Sequence, residues 1–247
     1  MRARFAGGAR ACGCFSWLFC QCRPQGFVFD IAFCVMSRIA DTYVAGTKTD
    51  RDWLAFRPGL LAGADTSTWE TAFEEYFRPR LALRYLDPIQ LLQDNGRCEG
   101  EGFSIAAIQC TLIEFLESAR QGLKYRYLGN GKKLGPNEYS FSKKIFVAFL
   151  CDRQPFSKVF DKASAADFYA GVRCGLLHEA QTRNGWKIRA SASDSILADV
   201  QKRIVYRDDF QSALLSYIES YKDDLLLDAG LQSAFVRKFD DLCGVQP

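Results

Sequence analysis

The sequence predicts a mainly α-helical protein with a small β-hairpin insertion near residues 186–206. Two observations carry that expectation. Apolar residues recur at helical spacing over most of the chain beyond residue 68. Only Trp186–Ala190 and Arg203–Tyr206 alternate as strands do. The composition agrees: 48% hydrophobic, 25% charged and 14% aromatic is that of a globular chain with a sizeable core. No internal repeat or low-complexity tract interrupts the pattern, and residues 36–247 read as one domain.

Residues 41–68 hold Gly46, Pro58, Gly59 and Gly63, and they read as an irregular lead-in anchored by Trp53, Leu54 and Phe56. Trp69, Phe73, Tyr76 and Phe77 predict a helix over 68–77. Leu81, Leu83, Tyr85, Leu86, Ile89, Leu91 and Leu92 predict a second over 80–94. Pro79 and Pro88 are expected to divide or kink this run, and Asp94-Asn95-Gly96 ends it. Phe103 to Leu116 gives the cleanest helix, closed by Gly122; Gln109 and Glu117 need not be buried, while Glu114 is either an exposed or salt-bridged helix residue, the favoured reading, or faces the bundle. Arg120 to Gly135 is basic and glycine-rich, a loop that either stays solvated or binds a single-stranded backbone. Ser142–Cys151 reads as a short helix. Ser164 followed by Asp167 resembles a capping box that launches the next one. In it, Phe168, Val172, Leu176 and Ala180 lie on one stripe. Thr182-Arg183-Asn184-Gly185 marks a turn. Asp208 is placed to cap a helix carrying Phe210, Leu214, Tyr217, Ile218 and Tyr221, and a last helix carries Leu231, Phe235, Phe239 and Leu242.

The net charge of +3 arises at the N-terminus, where Arg2, Arg4, Arg10 and Arg23 face Asp30 alone; the remainder holds 28 basic and 28 acidic residues. No global field gathers nucleic acid, so a polyanion site must be a local cluster. Five of the ten cysteines lie before Met36. The others (Cys98, Cys110, Cys151, Cys174, Cys243) are scattered singly, as reduced thiols of a cytoplasmic protein are. Cys12-x-Cys14 and Cys20-x-Cys22 are spaced too closely for the usual zinc sites. Neither apolar run of the first 35 residues reaches the length of a membrane span. These residues are expected to be an extension, an early-called or disordered start ahead of Met36. Gly131-Lys132 lacks the first glycine and the Ser/Thr of a P-loop.

The chain has one histidine, His178, five residues after Arg173 in a helical stretch. Five residues are about 140° around a regular helix. A shared site therefore requires a distorted helix, the reach of Arg173, or a second copy of the chain. From the residues alone, two alternatives stand. The pair serves a phosphate ester, or Arg173 pairs with Asp167, Glu114 or Glu179 while His178 sits at a helix end as a structural residue.

Arg173-Cys174-Gly175-Leu176-Leu177-His178 resembles the R-x4-6-H signature of the HEPN superfamily, and the likeness covers about residues 100–210. Many members carry a polar residue after the arginine, where this chain has Cys174. The resemblance implies a HEPN-like helical bundle. It implies a metal-independent endoribonuclease, without cofactor, that cleaves RNA by 2′-OH transesterification in a bacterial defence or toxin–antitoxin setting. Arg173 and His178 are the implied catalytic residues, with Glu114, Cys174 and Glu179 in support. Lys124, Tyr125, Arg126, Lys132 and Lys133 are candidates for RNA contact. RNA, a second copy of the chain and an antitoxin or regulatory protein are the implied partners, with no membrane. The alternative within the family is a module that binds RNA or protein without turnover.

Overall fold

The computed structural model describes residues 42–61, 63–96, 100–129 and 133–245. The expectations for residues 1–35, the start at Met36, Cys98 and the Gly131-Lys132 pair lie outside them.

Tyr43–Ala45 (β1) and Lys48–Thr49 (β2) form a hairpin across Gly46, whose φ of +54° suits glycine. Asp50–Leu61 (α1) follows directly. The irregular lead-in expected here is thus a hairpin and a helix. Asp50 and Asp52 accept backbone N–H groups from Thr42, Thr49 and Arg51 around the helix start. Pro58 and Gly59 lie late in α1, where tertiary packing outweighs their poor propensity. The buried Trp53 secures it, its indole donating to Asp240 at 2.9 Å.

The expected division at Pro79 and Pro88 does not occur. Residues 66–95 (α2) are helical throughout, with π turns at Phe73–Phe77 and Ala82–Leu86. Arg78 N–H bonds to Phe73 O and Asp87 N–H to Ala82 O, each five residues back. Each wide turn ends two residues before a proline, Pro79 or Pro88. The extra residue displaces the carbonyl that the ring would strike and absorbs the missing N–H. Asp65 caps the start through Thr68 N–H.

Glu101–Gln121 (α3) is the central helix. It packs against α2, against Ser142–Asp152 (α4), against residues 162–179 (α5), against Arg207–Leu227 (α6) and against Ala229–Leu242 (α7). Gly122 ends it in the left-handed region, φ +64°; a Cβ there would lie 2.7 Å from Ala234 O, so only glycine lets α7 approach. Contrary to expectation, Gln109 and Glu117 are both buried. Gln109 donates to Arg207 O and Gln211 Oε1. Glu117 takes Arg153 bidentately at 2.8 and 2.9 Å. Polar residues on an apolar face are thus explained by partners from other helices.

The cap of α5 is Asp161 rather than the expected Ser164. Its carboxylate accepts Ser164 N–H, and Ser164 Oγ accepts Asp161 N–H in return. A third π turn, Tyr169–Arg173, interrupts this helix before it resumes as Cys174–Glu179. Of the expected stripe, Phe168 and Val172 are buried, Leu176 is half-buried, and Ala180 is the exposed left-handed residue that ends the helix.

The Asn184-Gly185 turn forms, both residues having positive φ and Trp186 N–H returning to Arg183 O. The hairpin expected beyond it is corrected. Lys187–Arg189 (β5) pairs in parallel with Ile204–Tyr206 (β7), and Ala198–Asp199 (β6) takes the antiparallel edge. The connection 190–203 is long enough for the crossover that parallel pairing requires. Asp199 closes the true hairpin by accepting Lys202 N–H. Asp208 does not cap α6 with its side chain; it accepts from Gln93 instead. Asp167 binds Trp186, Asn184 and Arg203, fastening α5 to this small sheet.

The core is aromatic and continuous. Phe77 stacks on Tyr221 at 4.9 Å, Phe235 on Phe239 at 4.7 Å, and Phe168 meets Trp186 edge-on at 5.0 Å. No helix among the described residues is long and apolar enough to cross a membrane.

Candidate functional site

Helix α3 turns Thr111, Glu114, Phe115 and Ser118 to one side, at the three- and four-residue spacing of a helix face. Four other parts of the chain close on that face. Lys124–Tyr125 (β3) and Glu138–Tyr139 (β4) pair in parallel beside it, so the expected basic loop begins as a strand. The start of α4 brings Ser142, the third π turn brings Arg173, and α7 brings Lys238. Together with Tyr85 they line an open cavity of about 340 Å³, almost wholly with side chains that carry a polar atom.

Glu114 is its centre. One carboxylate oxygen accepts from Ser142 Oγ at 2.7 Å and Tyr139 OH at 3.2 Å; the other accepts from Arg173 Nη2 at 3.3 Å. Of the three acids weighed for Arg173, Glu114 is therefore its partner. Asp167 is occupied by the sheet and Glu179 pairs with Arg183 at the surface. The long contact to Glu114 is the only hydrogen bond of Arg173 among the described residues, and its side chain, 21% exposed, lines the cavity. Its guanidinium lies over the Tyr169 ring at 5.4 Å.

Lys238 was not anticipated. It falls seven residues after Leu231 on the buried stripe of α7, and a cation at a core position of an amphipathic helix was the available signal. Its ammonium donates to Leu123 O at 2.8 Å and Ser118 Oγ at 3.0 Å, and it faces the Phe115 ring at 5.5 Å. Burial lowers its pKa to about 8; Arg80 and Lys124 push the same way, and Asp241 and Glu114 oppose them. Burial also raises the Tyr139 hydroxyl, helped by the Glu114 charge, and keeps it a neutral donor.

No family model, no curated protein and no solved structure matches this chain.

His178 does not join the cavity. It is exposed and makes no hydrogen bond or ion pair among the described residues. The helix is distorted, but in Tyr169–Arg173; Cys174–Glu179 is regular, so the separation of about 140° between Arg173 and His178 persists. Cys174 is half-buried beside Tyr169, whose hydroxyl is raised to about 12, chiefly by burial. The proposed RNA contacts divide. Lys124 pairs with Asp241, and Arg126 pairs with Glu138 at 2.6 Å. They line a separate cavity of about 630 Å³ in which Lys124, Arg126 and Arg237 face Glu138, Asp240 and Asp241, so no net positive charge is left there. Tyr125 is half-exposed and edge-on to Tyr139, Lys133 is exposed, and Lys132 is outside the described residues. Among the described residues no three His, Cys, Asp or Glu side chains group to hold a metal.

Proposed function

We propose that this protein is a metal-independent endoribonuclease whose site is completed between two copies of the chain. The observation that carries the reading is Arg173, which lies against Tyr169 and Glu114, makes a single long hydrogen bond and lines a polar cavity. A planar, permanently charged fork so held suits a phosphodiester. RNA supplies its own nucleophile. His178 accepts the 2′-OH proton as that oxygen attacks phosphorus, and His178 of the second copy protonates the departing 5′-oxygen. Arg173 stabilises the charge that builds on the phosphoryl oxygens. The products carry a 2′,3′-cyclic phosphate and a 5′-OH. Two imidazoles are needed and each chain has one, so the reading requires a homodimer. The resemblance of Arg173–His178 to the HEPN signature is what suggests a role in host defence or a toxin–antitoxin system, with a neutralising protein partner.

One observation favours a second reading. Arg173 and His178 do not converge within the chain, as expected of a module that binds RNA or protein without turnover.

The deciding experiment incubates purified protein with mixed RNAs in EDTA, wild type beside His178→Ala and Arg173→Ala, with product ends analysed and mass measured by sedimentation. Cleavage that persists in chelator, leaves cyclic phosphate ends and disappears in both variants supports the ribonuclease. A folded dimer that cleaves nothing supports the second reading.

A further inference from the structure

A second surface adjoins the Arg173 cavity and shares a chain segment with it. Phe141, Val147, Ala148 and Cys151 of the α4 region and Ala166 of α5 line a groove of about 610 Å³. Phe141 is 70% exposed, large for an aromatic ring when the other phenylalanines among the described residues are mostly buried. Lys143, Lys144 and Lys162 rim the groove, and Asp152 is the one acid in it, giving a net charge of +2. None of the three lysines is ion-paired among the described residues, unlike Lys124 and Arg126. Ser142 lies between Phe141 and Lys143 in the chain, yet its hydroxyl turns the other way to Glu114. Consecutive residues of the chain thus line groove and cavity.

We propose that this groove is the track for single-stranded RNA leading to Arg173, with a base stacked on Phe141 and the backbone held by Lys143, Lys144 and Lys162. The proposal rests on the ribonuclease reading for its choice of RNA. An exposed ring beside unpaired lysines over an apolar floor is what unpaired bases on a phosphate backbone require. A duplex keeps its bases stacked inside and offers the ring nothing. The basic segment 124–133 is the weaker candidate, because two of its cations are already neutralised.

The test uses a fluorescently labelled, 2′-O-methylated 12-nucleotide RNA, which binds but cannot be cleaved by 2′-OH attack. Its affinity is measured by anisotropy over a salt series for the full chain, for Phe141→Ala and for Lys143→Gln/Lys144→Gln. All three side chains are exposed, so these variants keep the fold, checked by circular dichroism. Phe141→Ala is expected to weaken binding about tenfold. The double variant is expected to lower the salt slope by about 1.4, the single-strand value for two phosphate contacts. Wild-type affinity in both variants overturns the track, even if unmodified RNA is still cleaved. Loss of binding in both variants upholds it, even if no RNA is cleaved and the ribonuclease reading falls. A 12-residue polyglutamate that competes as well as the RNA also overturns it, and assigns the groove to an acidic protein segment.

Discussion

Lys238→Met changes how stability depends on pH, and the change can be worked from the structure. Lys238 is 6% exposed, with Arg80 and Lys124 opposing its charge and Asp241 and Glu114 favouring it. Folding lowers its pKa from 10.5 to about 8. Between those values the unfolded chain keeps the proton and the folded chain has released it. The unfolded state then binds more protons, so stability rises with pH above 8. At pH 9, one unit beyond the folded pKa, the gain over pH 7 is about 1.4 kcal/mol. Methionine has no proton to release and shows no such gain. The buried Cys110 and half-buried Cys243 thiols, whose pKa values burial also raises, act in the opposite sense, but equally in both proteins. Urea unfolding under reducing conditions at pH 7, 8 and 9, followed by tryptophan fluorescence, gives both curves. The difference between wild type and Lys238→Met should grow by about 1.4 kcal/mol across the range. A difference that stays flat would falsify the placement of Lys238 as a buried amine.

Three further outcomes follow from the packing. Arg153→Met leaves Glu117 buried without its cation and should cost about 3–5 kcal/mol in urea unfolding; a loss below ~1 kcal/mol would show that the pair is solvated. Gly171→Ala brings a Cβ to 2.4 Å from Trp186 Cδ1, so the small sheet must shift from α5 at a cost of about 1–3 kcal/mol; an unchanged Tm would contradict that contact. Ala180→Gly relieves a left-handed alanine, φ 53°, and should raise stability by about 0.5–1 kcal/mol, read as a higher urea midpoint; a lower midpoint would argue against the helix end described.

What could be read from the chain follows a physical line. Helices α3 and α7 were legible because most positions on their buried faces are apolar at helical spacing, despite Gln109, Glu117 and Lys238, and Gly122 marks one end. Helix α1 was not, because Pro58 and Gly59 argue locally against a helix that Trp53 and Asp240 hold from outside. The prolines of α2 were legible as residues but not as consequences, since a π turn answers the lost N–H without breaking the rod. At the site, Arg173 and Glu114 were visible as types. Ser142, Tyr139 and Lys238 were not, because each reaches the cavity from a different segment through packing alone. Lys124 and Arg126 illustrate the reverse: a basic run in the sequence, cancelled by Asp241 and Glu138 in space.

The third π turn sets a counting rule for the end of α5. A π turn is an α turn carrying one residue more than it needs. Removing one residue from Tyr169–Arg173 would restore an ordinary helix and leave the downstream turns nearly in phase, because five residues of the wide turn sweep about the same angle as four of an α-helix. Cys174–Glu179 would keep its face, and His178 with it. Removing one residue from the regular stretch between Cys174 and Leu177 would instead swing His178 by about 100°. The surface position of the lone histidine is therefore written in the count of residues after the wide turn, not within it.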